Sequence, residues 1–276
     1  MVRTVLLASA LAALPALAQP APRFMDDRYK AEMAAGVPPE GAPIAKTTPR
    51  GPGSLTGVWF NAEAASNPAE EESVRTAEGD PPPLQLWALK IIVGRAADEE
   101  DGHPYADTSS RCLPTGIPQM MVEPRGPGIR ILEEPKSVTM LFEQNNNWRQ
   151  ILIGAKHRED ASPTYMGDSV GRWDGDTFVV ETTNVDLDQD VQGYPHTDKL
   201  RIVERYRRIT ADRLELKVTI EDPGAFTRVW SLPRRTLKRE AGAVLGENLC
   251  TNQRNAPDAD SYTGVQGPRA SQTPPD

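Results

Sequence analysis

Four side chains in the second half of the sequence are suited to moving a proton or holding an anion. His196 titrates near neutrality, Glu204 offers a carboxylate, Tyr206 a phenol and Arg172 a guanidinium. Spacing links two of them. Residues 200–209 alternate, so Ile202, Glu204, Tyr206 and Arg208 share one face and Arg201, Val203, Arg205 and Arg207 the other. If Ile202 points into a core, Glu204 and Tyr206 point there too, and a buried carboxylate needs a partner. Arg172, in the preceding hairpin, is the expected partner, and Asp198 is placed to orient His196. Two readings follow. The group either does acid–base work in a cofactor-free isomerase, hydratase or lyase, or is a buried ion pair that fixes strand register. The second is favoured.

Other motifs are weaker. Gly167-Asp168-Ser169-Val170-Gly171 fits the Gly-x-Ser-x-Gly pattern, with Asp186 or Asp188 and then His196 following in hydrolase order. A nucleophile elbow needs a strand, a sharp turn and a helix. Here Asp174-Gly175-Asp176 and the β-forming run after it make a hairpin instead, so a serine hydrolase is not expected. The three histidines, His103, His157 and His196, form no tight pair, and no metal or other cofactor is expected. Trp59, Trp148, Trp173 and Trp230 fall in predicted strands and are candidates to line a pocket for an apolar or aromatic ligand. Asp222, at the turn Glu221-Asp222-Pro223-Gly224, is expected to cap it.

The elements that must position these groups are short strands. Residues 129–134, 137–143 and 148–153 are β-branched or aromatic runs separated by turn sequences. Residues 170–173 and 177–183 flank the hairpin, and residues 200–209 and 214–220 alternate. With 226–232 and 235–238 this makes about nine strands from residue 129 onward, preceded by one strand at 55–60 and one helix starting near Pro83. Consecutive strands with short turns form an antiparallel meander, and closure removes its edges. The expected fold is therefore mainly β, an up-and-down, lipocalin-like β-barrel, with an open bent sheet or sandwich as the alternative.

Around this core the composition shifts. Of 276 residues 26 are Pro and 21 are Gly, and mean hydropathy is −0.51. The prolines crowd into residues 19–53, read as a tether, with one short helix predicted near 25–35, and into the tail at 253–276, read as disordered. The folded domain is 54–252. Residues 1–18 join Arg3, an apolar stretch and Ala16-Leu17-Ala18, the pattern of a signal peptide cleaved after Ala18. Removing them leaves 30 Lys plus Arg against 39 Asp plus Glu, so the net charge of −8 becomes −9. Such a balance argues against a nucleic-acid partner, and no apolar run beyond the leader is long enough for a spanning helix. The expected location is periplasmic or secreted, where the two cysteines, Cys112 and Cys250, are expected to form a disulfide. The sequence does not set the oligomeric state.

Four blocks resemble a widespread family of secreted bacterial proteins of unknown function. They are Leu55-Thr56-Gly57-Val58-Trp59, Cys112-Leu113-Pro114-x-Gly116-x-Pro118, residues 166–177 with the Gly-Arg-Trp-x-Gly-Asp-Thr block, and residues 193–206. That family often carries Asp-Gly-Arg-x-His-Pro ahead of the third block, where this chain reads Gly154-Ala155-Lys156-His157-Arg158-Glu159. The resemblance implies an exported single β-domain and no particular activity. The leading functional expectation is an exported β-barrel that binds a small, partly apolar ligand. The alternative is the cofactor-free enzyme built on His196, Glu204, Tyr206 and Arg172.

Overall fold

Short β-branched runs joined by tight turns pair most readily with their sequence neighbours. They do so in the computed structural model, which describes residues 54–62, 75–122 and 128–248. The strands are β1 (Gly57–Asn61), β2 (Ile129–Glu133), β3 (Ser137–Phe142), β4 (Asn147–Ile153) and β5 (Asp168–Asp174). They continue with β6 (Thr177–Thr183), β7 (Arg201–Arg208), β8 (Arg213–Glu221), β9 (Trp230–Ser231) and β10 (Arg235–Arg239). β1 to β8 pair in chain order, and β10 pairs with both β8 and β1, so nine strands close into a barrel. β9 lies beside the far half of β8.

The barrel is thus present, but it is not a pure meander. β4 and β5 run parallel, with Leu152 opposite Val170 and Ile153 opposite Gly171. The reason is counting: each antiparallel step reverses direction, so a ring of nine closes only with an odd number of parallel neighbours. A parallel pair needs a crossover connection, not a hairpin turn. Residues 154–167 supply it.

The inward faces fill the barrel. Ile131, Met140, Ile151, Phe178, Val180, Leu216 and Val218 are each at most 1% exposed. Gly171 provides the gap they close: a Cβ there would stand 2.5 Å from Phe178 Cζ and 2.8 Å from Ile151 Cγ2. A short helix, α2 (Gln119–Val122), adds Met120, Met121 and Val122 to the same core.

The predicted helix is α1 (Leu86–Glu100). It lies on the surface, with Ala88 its one buried residue. Trp87 Nε1 donates to the Gly224 carbonyl at 2.7 Å, which docks the helix on the loop after β8. Asp222 organises that loop. Its wholly buried carboxylate accepts from Thr197 N and Thr197 Oγ1 at 2.6 Å each and from Gly224 N at 2.9 Å. The leader, tether, tail, the helix predicted at 25–35 and Cys250 lie outside the described residues.

Candidate functional site

The alternation in β7 places Glu204 and Tyr206 inside the barrel, and both are wholly buried. Tyr206 Oη donates to Glu204 Oε1 at 2.6 Å. The cation that joins them is Arg149, not Arg172. From the inward face of β4, Arg149 Nη1 and Nη2 donate to the two carboxylate oxygens of Glu204 at 2.7 and 2.9 Å. Nη2 also donates to Tyr206 Oη at 3.0 Å. Burial alone would lower the Arg149 pKa, but Glu204 and Tyr206 hold it above its ordinary value. Burial, followed by the Glu204 charge, pushes the Tyr206 phenol well up. The guanidinium and the phenol therefore both keep their protons, and all three side chains are buried in the barrel. The group's role is to tie β4 to β7 across the barrel.

Arg172 is on the other side of the wall. Gly171 and Trp173 face inward, so pleating turns Arg172 outward, opposite Val179. His196 is wholly buried in the loop before β7. Its Nδ1 meets the Thr197 carbonyl at 2.9 Å and its Nε2 the Asp186 carbonyl at 3.2 Å. Backbone oxygens hold the ring, whereas Asp198 is exposed. Glu204 and Tyr206 therefore meet each other, but His196 and Arg172 join neither, and the four do not converge on one concavity.

The tryptophans also separate. Trp59 is core, with Nε1 donating to the Leu55 carbonyl at 2.8 Å. Trp230 is core against Phe226, and Trp173 packs on Phe178 with ring centroids 5.1 Å apart. Trp148 stands outside the barrel, 62% exposed. The four do not line a common lumen.

Two groupings lie on the outer wall, and of their residues the sequence singled out Trp148 as a candidate to line a ligand pocket. The first is an ion network around His157. Its Nδ1 lies 2.8 Å from Asp168 Oδ2 and its Nε2 3.4 Å from Glu181 Oε1. Arg158 Nε donates to Asp168 Oδ1 at 2.8 Å, and Arg201 reaches Glu181 at 2.5 Å and Glu221 at 3.0 Å. The Glu181 carboxylate, with Asp168 beside it, raises the His157 pKa against the opposing effect of burial. Burial raises Glu181, but His157 and Arg201 outweigh it and hold the carboxyl down at about 2. The network straps the crossover onto β5 and β6.

The second grouping is a concavity of about 170 Å³ beside the β3–β4 turn. Leu141 and Trp148, paired across those strands, form its floor with Phe142, and Leu245 closes one side. Glu143 builds the far wall. Its Oε1 accepts from Gly246 N at 2.6 Å and its Oε2 from Gly128 N at 2.8 Å, which anchors the segment carrying Leu245. Asn146 and Asn147 complete the lining, and Asn147 Nδ2 donates to the Gln144 carbonyl at 3.2 Å. The lining is mostly apolar, with an exposed indole and a few polar groups, which suits a small ring-bearing molecule.

The described residues form a closed nine-stranded β-barrel whose inward-facing side chains are buried, with a concavity on its outer wall beside Trp148. Comparison with protein-family models, with curated proteins and with solved structures finds no match to this chain.

Proposed function

We propose that this chain is an exported β-barrel binding protein that takes a small, partly apolar ligand on its outer wall, beside Trp148. The observation that carries the reading is the exposed Trp148 indole over an apolar concavity of about 170 Å³, next to a barrel packed with its own side chains. An apolar cavity of about 150 Å³ takes a benzene-sized molecule. The ligand therefore carries one aromatic or alicyclic ring, stacked on Trp148, and a polar substituent within reach of Asn146 or Asn147.

Export is supported by the leader pattern of residues 1–18. Asp168, Glu181, Arg201 and Glu221 face outward on β5 to β8. A barrel embedded in lipid presents an apolar band there, so this one sits in water. The same reading includes the Cys112–Cys250 disulfide expected of an exported protein.

The test is a panel of monocyclic aromatic and alicyclic fragments titrated against the purified mature protein and its Trp148→Ala variant. Saturable binding is expected for the native chain, weakened at least about tenfold by the substitution, the loss of roughly 1.4 kcal/mol of stacking and apolar contact. Equal affinity in both proteins sinks the assignment. Export is checked on fractionated cells, where the mature chain should begin at Gln19.

A further inference from the structure

The arginines of the outer wall divide into two kinds. Arg201 bonds Glu181 and Glu221, Arg158 bonds Asp168, and Arg207 bonds Glu215. Arg172 does none of this. Its Nε and Nη2 are buried without a hydrogen-bond partner. Among the described residues Arg205 makes no hydrogen bond either; its nearest carboxylate is Asp174, at 3.8 Å, and Lys217 Nζ stands 3.9 Å from Glu215 Oε1. Register brings the two together. Arg172 on β5 and Arg205 on β7 both sit opposite Val179 on β6, and Lys217 on β8 sits opposite Arg205. Neighbouring strands are about 4.8 Å apart, so the two arginine stems start roughly 10 Å apart and flank Val179. Val179 and Val203 are buried beneath this row although they point away from the barrel core.

Buried N–H groups without acceptors are rare in folded proteins and call for an explanation. Two guanidinium groups on one patch also repel unless an anion lies between them. The cost is visible in Arg172, whose pKa falls first through burial and then through the Arg205 charge, although the Glu181 and Asp174 carboxylates oppose the fall. Guanidinium forks match the oxygens of a tetrahedral oxyanion, and two forks plus an ammonium suit a double negative charge better than a single one.

We propose that Arg172 and Arg205, with Lys217 at the edge, form a binding site for a phosphoryl group on the outer wall of β5 to β8. The phosphoryl group sits between the two guanidinium planes above Val179, and Arg172 turns to present its unpartnered N–H donors to it. The site is independent of the Trp148 concavity, which lies at the β3–β4 turn and shares no residue with it.

The probe is inorganic phosphate, titrated into the mature protein at fixed ionic strength against chloride, with the arginine Nε–Hε signals and the Val179 methyls followed by NMR. Saturable shifts at Arg172, Arg205 and Val179 are expected. Arg172→Gln and Arg205→Gln should each weaken phosphate at least about tenfold, the loss a charge-assisted hydrogen bond implies. Arg130→Gln, on the opposite wall, should leave it unchanged. Arg205, whose side chain is 27% exposed, keeps the test decisive if the Arg172 variant folds poorly. Shifts that match chloride, or a Kd unaffected by Arg205→Gln, overturn the site. Acetate binding as tightly as phosphate overturns the phosphoryl assignment. Phosphatidic acid vesicles, set against phosphatidylcholine alone, separate the sources. Binding to them as well as to phosphate assigns a lipid headgroup, and binding to phosphate alone assigns a soluble phosphoester.

Discussion

Arg149, Glu204 and Tyr206 form a buried charge cluster whose members each satisfy another. Breaking such a pair leaves an uncompensated charge in a dry core, at roughly 3–5 kcal/mol, whereas replacing the whole group with apolar residues of similar volume is often neutral or better. Glu204→Leu alone should therefore lower the unfolding free energy by roughly 3–5 kcal/mol. The triple variant Arg149→Met, Glu204→Leu, Tyr206→Phe should recover most of that loss. Denaturant unfolding of both variants checks this, and a triple variant as unstable as the single one contradicts a structural role. Gly171 supports the same packing. Gly171→Ala forces its new methyl into Phe178 and Ile151, and should cost roughly 1–3 kcal/mol.

At this scale part of the cluster is legible in the sequence. Alternation with Ile202 is enough to turn Glu204 and Tyr206 inward. Arg149 is harder to find, because Trp148 and Leu152 make the outward face of β4 look as apolar as the inward one. With Ile151 and Ile153 taken as the inward set, Arg149 joins them. Arg172 follows the same logic in reverse, since Gly171 and Trp173 hold the inward positions of β5. Nothing local reveals the concavity beside Trp148, because Leu141 and Leu245 lie far apart in the chain and meet only when the segment after β10 crosses the β3–β4 turn.

Among the elements, the crossover between β4 and β5 is the departure from a simple meander. Its signal is length: residues 154–167 are too many for a hairpin turn, and they contain turn formers rather than a strand. The His157 network straps this segment down, and its charges set a pH window. His157 has a folded pKa raised above 6.5, so its contribution is complete below that value and is lost as pH rises through the raised one. Glu181 is held down at about 2 from 4.5, so its contribution is present above 4.5 and fades as pH falls toward 2. The strap is therefore strongest between these limits. The difference in unfolding free energy between the native chain and His157→Gln should shrink steadily as pH is raised above 6.5. A difference that stays constant from acid to alkaline pH rules out the strap as described. At the β3–β4 turn, Glu143→Ala should release the segment carrying Leu245, open the concavity and weaken any ligand bound there, while the barrel still unfolds cooperatively.

For the whole molecule, the strand runs, the closed barrel and the single long helix are all readable from patterning, because each strand pairs with its neighbour and local spacing then sets global order. The filled interior is not readable. A barrel of this strand number can be hollow or solid depending on whether residues such as Phe178, Met140 and Arg149 reach the axis, and that depends on strand tilt and stagger. A solid barrel with a charged exterior works as a rigid platform, so recognition falls to the outer wall and the ends. That assignment is the centre of the account. It is tested most directly by following every backbone and indole N–H of the mature protein by NMR during titration with the tightest-binding ring fragment. Saturable shifts confined to the Trp148 indole, Leu141, Asn147 and Gly246 are predicted. Shifts centred on Tyr206, Met140 and Phe178 would place the ligand inside the barrel and contradict it.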